Sequence, residues 1–396
     1  MKKQLLIISY DLEIGGVERS LLGLLGKLDV SKYDIDLLLF SQSGEFMEFL
    51  PKERLKLLPE IPAYKTFRMS IAQVLRSGRP DIAAARLLAR LLTGLKKGAK
   101  NGYAMQLGWN LSAPFLPKIT KEYDAAISFL WPHHCCAFKV NAKCKIAWIH
   151  TDYSRLNLNR TGDSRVWNSF DYIAAVSDEN RAIFGQVYPE LAHKTVTIEN
   201  ILDSDFVKAQ AEAFVPAEMP PSNSVRLLTI GRYCEAKAFD RAIHACKLLK
   251  DRGVKVKWYA IGYGELENEL QSLVAQLDLA EHFIILGKKT NPYPYIKACD
   301  IYVQPSSYEG KAVTVREAQI LGKPVLITNF ASSASQLRDG FDGLICPMSA
   351  GAVADTLIRL IEDKSLYEKL VNNIKNTDYS NNDAVEIIDK LFGNKV

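Results

Sequence analysis

Short apolar runs of strand length alternate with amphipathic segments of helix length along most of this chain, and that alternation leaves few folds open. Gln4 to Ser9, Ile35 to Phe40, Asp124 to Phe129, Lys145 to Ile149 and Tyr172 to Val176 read as buried strands, while Leu21, Leu22, Leu25 and Leu28 recur at helical spacing within Gly16 to Leu28. A second series follows the proline-rich break Pro216-Ala-Glu-Met-Pro220-Pro221, with strands at Val225 to Ile230, Val256 to Ile261, His282 to Leu286, Ile301 to Gln304 and Pro324 to Thr328. Apolar strands separated by helices build parallel sheets covered on both faces. Two such series imply an α/β chain of two doubly wound, Rossmann-like domains facing a cleft, with a boundary near residue 200.

The 396 residues, 48% hydrophobic and 24% charged, are enough for two or three domains with their own cores. Disorder and small disulfide scaffolds are excluded. No stretch reaches the ~18 to 20 consecutive apolar residues of a membrane span, and MKKQLLIISYD lacks the apolar run of a signal peptide. Seven cysteines without a CxxC pair suit a reducing cytoplasm. His133-His134-Cys135-Cys136 with Cys144 reads as buried or surface-placed rather than metal-binding, because adjacent residues point apart and no second ligand pair follows.

The net charge of +5 is unevenly spread. Residues 1 to 199 carry 27 basic and 20 acidic side chains, and residues 61 to 121 alone hold 11 basic side chains against the single acid Asp81. Such a segment calls for an anionic partner.

In open parallel sheets, ligands bind beyond the carboxyl ends of the strands. The loop after the first strand contains Gly15-Gly16, where backbone amides can approach an anion at a helix start. The first strand of the second series ends in Gly231-Arg232 with Lys237 following, two cations able to neutralise a pyrophosphate leaving group. The most pointed pattern is Pro305-Ser-Ser-Tyr-Glu309-Gly310-Lys311-Ala312-Val313-Thr-Val-Arg-Glu317. There a carboxylate precedes a helix whose first amides, at residues 311 to 313, face the same ligand, and Glu317 about two turns on can take both ribose hydroxyls.

These motifs together resemble those of the retaining glycosyltransferases of family 4, with the two-domain GT-B fold. Ile149-His150-Thr-Asp152, Val176-Ser177-Asp-Glu, Glu199-Asn200-Ile-Leu-Asp203 and Asp339-Gly-Phe-Asp-Gly343 extend the resemblance along essentially the whole chain. The resemblance implies that residues 1–199 bind the acceptor and residues 200–379 the nucleotide-sugar donor. It also implies a C-terminal helix, about 380–396, that crosses back onto the first domain. Arg232 and Lys237 would hold the donor diphosphate and Glu317 the ribose, while Gly287 and Lys288 would flank the base. Glu309, Gly310 and the amides of Lys311, Ala312 and Val313 would hold the transferred sugar. Gly15 and Gly16 would line the donor site, and His150 would stand beside the reaction centre.

The chemistry so implied is transfer with retention of configuration from a nucleotide-diphosphate sugar, a UDP-sugar in the first instance. The acceptor would be a lipid-linked glycan in cell-surface polysaccharide assembly, and neither cofactor nor metal is implied. A nucleotide-sugar 2-epimerase and a non-catalytic nucleotide-sugar binder are the rival readings. Lys311-Ala312 stands where many members have Phe-Gly, Ala238 where glycine often follows the lysine, and Ala331-Ser-Ser-Ala-Ser335-Gln336 where Gly-Gly and an acid are usual. Asp34-Ile-Asp36 and Asp203-Ser-Asp205 match an Asp-x-Asp metal pattern, but the first opens a buried strand and the second adjoins the linker.

Within residues 83 to 100, Leu88, Leu91, Leu92 and Leu95 form one helical stripe and Arg86, Arg90 and Lys97 another. A cationic amphipathic helix of this kind suits either the anionic inner leaflet, which gives a cytoplasmic protein peripheral on that membrane, or packing on its own domain with a solvated basic face. No nucleic-acid module accompanies the charge.

Overall fold

A computed structural model describes residues 2–94, 101–156 and 158–393. The chain folds into two compact units: Met1–Ile201 with Asn381–Val396, and Leu202–Ser380.

The first unit is built on a seven-stranded sheet with the order β3-β2-β1-β4-β5-β6-β7. Its strands are β1 Lys3–Ser9, β2 Tyr33–Leu39, β3 Lys56–Leu57, β4 Glu122–Ser128, β5 Asn141–Ile149, β6 Tyr172–Ala175 and β7 Thr195–Thr197. All neighbours pair in parallel. Leu5 and Ile7 of β1 enter the apolar core on one face, Leu6 and Ile8 the core on the other, which is why the strand reads as continuously apolar. The helix Gly16–Lys27 covers the first face with Leu21, Leu24 and Leu25. The helix Asn382–Gly393 fills the same core with Ile388 and Phe392, and its Asp389 accepts hydrogen bonds from Tyr33 Oη and Lys32 Nζ, both at 2.6 Å.

The second unit holds a six-stranded parallel sheet, β10-β9-β8-β11-β12-β13. The strands are β8 Val225–Ile230, β9 Val256–Ile261, β10 Phe283–Gly287, β11 Ile301–Gln304, β12 Val325–Thr328 and β13 Gly343–Cys346. Again one strand serves two cores, Leu227 on one face of β8 and Leu228 with Ile230 on the other. The chain leaves β8 toward β9 and β10, then returns to β11 on the other side of β8. Successive connections therefore diverge between β8 and β11, and the loops after these two strands flank a topological switch point.

The basic segment differs from its sequence reading. A helix runs over Pro80–Gly94, whereas Leu95, Lys96 and Lys97 lie outside the described residues. Arg86 is not part of a solvated stripe: its guanidinium donates to the backbone carbonyls of Thr66 and Met69. Burial, together with the nearby Arg90, lowers its pKa. The inward face consists of Ile82, Ala83, Ala85, Ala89 and Thr93, and the leucines point outward. Small residues let this helix pack closely on its neighbours, a preference that leucine periodicity alone does not reveal. No helix among the described residues is long and apolar enough to cross a membrane.

Candidate active site

The loop after β8 is shaped by two close approaches. The backbone amide of Gly231 donates to the Ile261 carbonyl at 3.0 Å, and a Cβ on Gly262 would stand 1.9 Å from the Gly231 carbonyl oxygen, so the ends of β8 and β9 meet without side chains between them. A short 3-10 turn, Glu235–Lys237, then leads through Ala238 at φ 48° into the helix Phe239–Asp251. That left-handed residue explains why glycine is the usual occupant after the lysine. The turn is held to the loop after β11, where the Ser307 amide donates to the Ala236 carbonyl at 2.8 Å. Arg241 adds a bond to the Pro305 carbonyl and one to Ser307 Oγ at 3.2 Å.

This clamp brings Lys237 and Glu309 together. Lys237 Nζ donates to both Glu309 carboxylate oxygens, at 2.6 and 2.7 Å. Oε1 also accepts from Ser306 Oγ at 2.6 Å and from Gln304 Nε2 at 3.1 Å. Gln304 is in turn fixed by Tyr302 Oη at 2.6 Å and Thr314 Oγ1 at 3.2 Å, both donating to its Oε1. The result is a carboxylate oriented by an ammonium and two neutral donors. Ser332 Oγ donates to the Glu309 backbone carbonyl at 2.9 Å and secures the main chain as well.

Around this pair the other candidate residues fall as follows. Arg232 is exposed on the loop after β8. Gly310 and half-buried Lys311 connect Glu309 to the helix Val313–Ile320, which Val313 opens. The Ala312 amide, expected to face a ligand, instead donates to Gln336 Oε1 at 3.1 Å, which corrects the expectation for that residue. Glu317 is the fifth residue of this helix, about one turn in rather than two, fully buried, and accepts from Tyr293 Oη at 3.0 Å. Gly287 ends β10 and its carbonyl accepts from the Gly262 amide at 3.0 Å; Lys288 Nζ lies 4.7 Å over the Tyr263 ring.

Gly15, Gly16 and His150 belong to the first unit. Gly15 caps the helix Gly16–Lys27 in an extended conformation, and a Cβ there would stand 2.1 Å from Glu18 Oε2. The carboxylate close to Gly15 is thus the chain's own. His150 follows β5, and its Nε2–H donates to the Phe129 carbonyl at 2.9 Å, leaving Nδ1 as the lone-pair nitrogen. Burial pushes its pKa down to about 4, with Phe129 and Asn200 pulling the other way. The imidazole is neutral at pH 7.

Among the described residues, no group of three or more His, Cys, Asp or Glu is placed to hold a metal ion. Asp36 accepts from Lys121 Nζ and Tyr123 Oη, both at 2.8 Å, and Asp203 caps the helix Ser204–Ala211. His133 and His134 are buried, hydrogen-bonded to Ser128 and Asn110 at 2.8 Å each.

The glycosyl transferases group 1 family matches residues 212–377, which lie within the second unit. This stretch belongs to the group 1 glycosyl transferases. An uncharacterized glycosyltransferase of Methanocaldococcus jannaschii is 31% identical to the chain over 181 residues, 45% of the chain and 42% of that protein. The UDP-Gal:alpha-D-GlcNAc-diphosphoundecaprenol alpha-1,3-galactosyltransferase of Escherichia coli is 27% identical over 133 residues, 33% of the chain and 34% of the enzyme. The matches thus span less than half the length of these curated relatives. The solved structure of Anabaena HepE in complex with UDP covers 100% of both chains at a TM-score of 0.66 and 15% identity. The fold is GT-B, and the group 1 stretch carries both glutamates, Arg232 and Lys237.

Proposed function

We propose that the chain is a retaining glycosyltransferase that moves a sugar from a UDP-sugar to a lipid-linked glycan acceptor in cell-surface polysaccharide biosynthesis. The observation that carries this reading is the Lys237–Glu309 pair, set by a dedicated hydrogen-bond network in the two loops that flank the switch point. The group 1 match over the same loops supports it, as do the UDP complex of HepE and the lipid-linked acceptor named for the Escherichia coli relative.

In this reading the first unit receives the acceptor and the second the donor. An ammonium has three N–H donors; two of Lys237 serve Glu309, and the third, with Arg232, takes the donor diphosphate. Glu317 takes the ribose, Gly287 and Lys288 flank the base, and Glu309 with the amides of Lys311 and Val313 orients the sugar. His150, neutral, offers a lone pair to a sugar hydroxyl, and the Gly15-Gly16 turn approaches the donor. The acceptor oxygen bonds to the anomeric carbon on the face from which the phosphate leaves, and the departing phosphate oxygen takes the acceptor proton. The positive charge at the strand ends comes from Arg232 and Lys237, so the step uses neither metal nor protein nucleophile. The reaction is placed at the cytoplasmic face of the membrane, where the enzyme is peripheral.

The test is release of UDP from UDP-sugars in the presence of lipid-linked acceptors. Glu309→Gln and Lys237→Ala are expected to lower turnover at least about 100-fold while the protein still unfolds cooperatively. Turnover equal to that of the unsubstituted chain in either variant refutes the assignment.

A further inference from the structure

The helix Pro80–Gly94 presents its leucines to the outside. Leu87, Leu88, Leu91 and Leu92 are 52, 48, 60 and 44% exposed, while Ile82, Ala83, Ala85, Ala89 and Thr93 face inward. A surface helix in water arranges these the other way round. The two helices packed against it each add one exposed apolar residue, Leu75 on Ile71–Arg76 and Met105 on Asn101–Ser112. Seven of the twelve exposed large hydrophobic side chains among the described residues fall between Leu75 and Phe115. That concentration distinguishes a patch from the scattered leucines of any surface.

Charge indicates what covers it. The only acid between residues 61 and 121, Asp81, is held by the Arg79 guanidinium at 2.6 and 2.9 Å, whereas Arg76 and Arg90 are exposed on the leucine-bearing helices. A second copy of the chain docked through this face about a two-fold axis would set the basic segment against itself. An anionic bilayer accepts both components, leucines at the boundary between headgroups and acyl chains and arginines among the lipid phosphates.

We infer that the helix Pro80–Gly94 lies flat on an anionic membrane surface, with Leu87, Leu88, Leu91 and Leu92 inserted and Arg76 and Arg90 against the headgroups. The docking rests on the peripheral placement in the proposed function and makes it specific: the inserting face is the leucine stripe, and Arg86 takes no part.

Flotation with vesicles of equal parts phosphatidylcholine and phosphatidylglycerol, compared with phosphatidylcholine alone, tests it. The unsubstituted chain is expected to float with the anionic vesicles only. Leu88→Ser with Leu91→Ser is expected to lower the bound fraction about tenfold, and Arg76→Gln with Arg90→Gln several-fold. Leu91→Trp should show a blue-shifted emission on the anionic vesicles. Thermal stabilisation by UDP, measured on every variant, keeps the donor-site reading separate: its loss in the unsubstituted chain counts against the proposed chemistry and not against docking. The inference is overturned by absence of flotation, by equal flotation of the leucine variant, by an unshifted tryptophan, or by a dimer that the leucine variant dissociates.

Discussion

Lys237 Nζ stands 2.6 and 2.7 Å from the two carboxylate oxygens of Glu309, in a pair whose side chains are 24 and 8% exposed. Removing one partner of so enclosed a pair strands the other. Lys237→Ala should therefore cost stability, up to about 3 kcal/mol given the partial exposure of the lysine. The double variant Lys237→Met with Glu309→Gln should regain most of that loss without regaining transfer. Urea unfolding and turnover, measured on all three proteins, separate the two roles; a double variant as active as the unsubstituted chain would contradict the pairing's part in catalysis.

Ala238 occupies the left-handed region at φ 48° and ψ 50°. A Cβ there costs about 1–2 kcal/mol, while glycine brings about 0.5–1 kcal/mol of extra unfolded-state freedom. Ala238→Gly should thus add at most about 1.5 kcal/mol of stability, seen as a higher unfolding midpoint. A lowered midpoint in calorimetry would show that the strain is relieved elsewhere.

Gln336 Oε1 holds the Ala312 amide, and Gln336 Nε2 donates to Ser332 Oγ at 3.2 Å. Gln336→Ala leaves a buried amide without its acceptor, at a cost of about 1–3 kcal/mol. Gln336→Glu keeps an acceptor but adds negative charge beside the loop proposed for the donor. It is expected to weaken UDP binding several-fold in calorimetric titration, more than the alanine change does. An equal or larger effect from alanine would assign Gln336 a purely structural part.

Two buried histidines, His133 and His134, and the half-buried His150 make the first unit sensitive to acid. Burial, with the neighbouring His134 and His150, pushes the His133 pKa down to about 3; burial alone takes His134 to about 3 and, against two opposing hydrogen bonds, His150 to about 4. A depressed pKa means that the unfolded chain binds protons the fold refuses. Stability is full above the ordinary value near 6.5 and is lost as pH falls toward 4, with a limiting slope of about 1.4 kcal/mol per pH unit for each histidine. Asp163, whose carboxyl burial holds above the usual range, opposes this as a single group. Urea midpoints at pH 7 and 5 should differ clearly, and equal midpoints would contradict the histidine burial.

Ten of the thirteen strands among the described residues are legible in the sequence as apolar runs, whereas β3, β7 and β13, short at two to four residues, do not stand out. Lys237 and Glu309 are legible because loops at the carboxyl ends of parallel strands are few and polar residues there stand out. The neighbourhood of β8 and β11 is not, since nothing local orders strands across a sheet. Gln304 carries no signal in the sequence because it closes the apolar run Ile-Tyr-Val-Gln and points its amide back at Glu309 from inside the strand. Gln336 was visible only as a departure from a family pattern; its bond to Ala312 spans 24 residues of sequence. On the helix Pro80–Gly94 two stripes are apparent, yet neither forms the inward face, which Ile82, three alanines and Thr93 make by fitting close to neighbouring helices.

The core of the first unit includes Ile388 and Phe392, whereas the second unit is one uninterrupted stretch of chain, Leu202–Ser380. The second unit therefore needs nothing outside its own stretch, while the first closes its core only with the helix Asn382–Gly393. A chain cut after Ser380 should keep the second unit folded and leave the first with a gap where that helix packs. Limited proteolysis of such a chain would record the difference, and full protection of the first unit would show that its core closes without the helix.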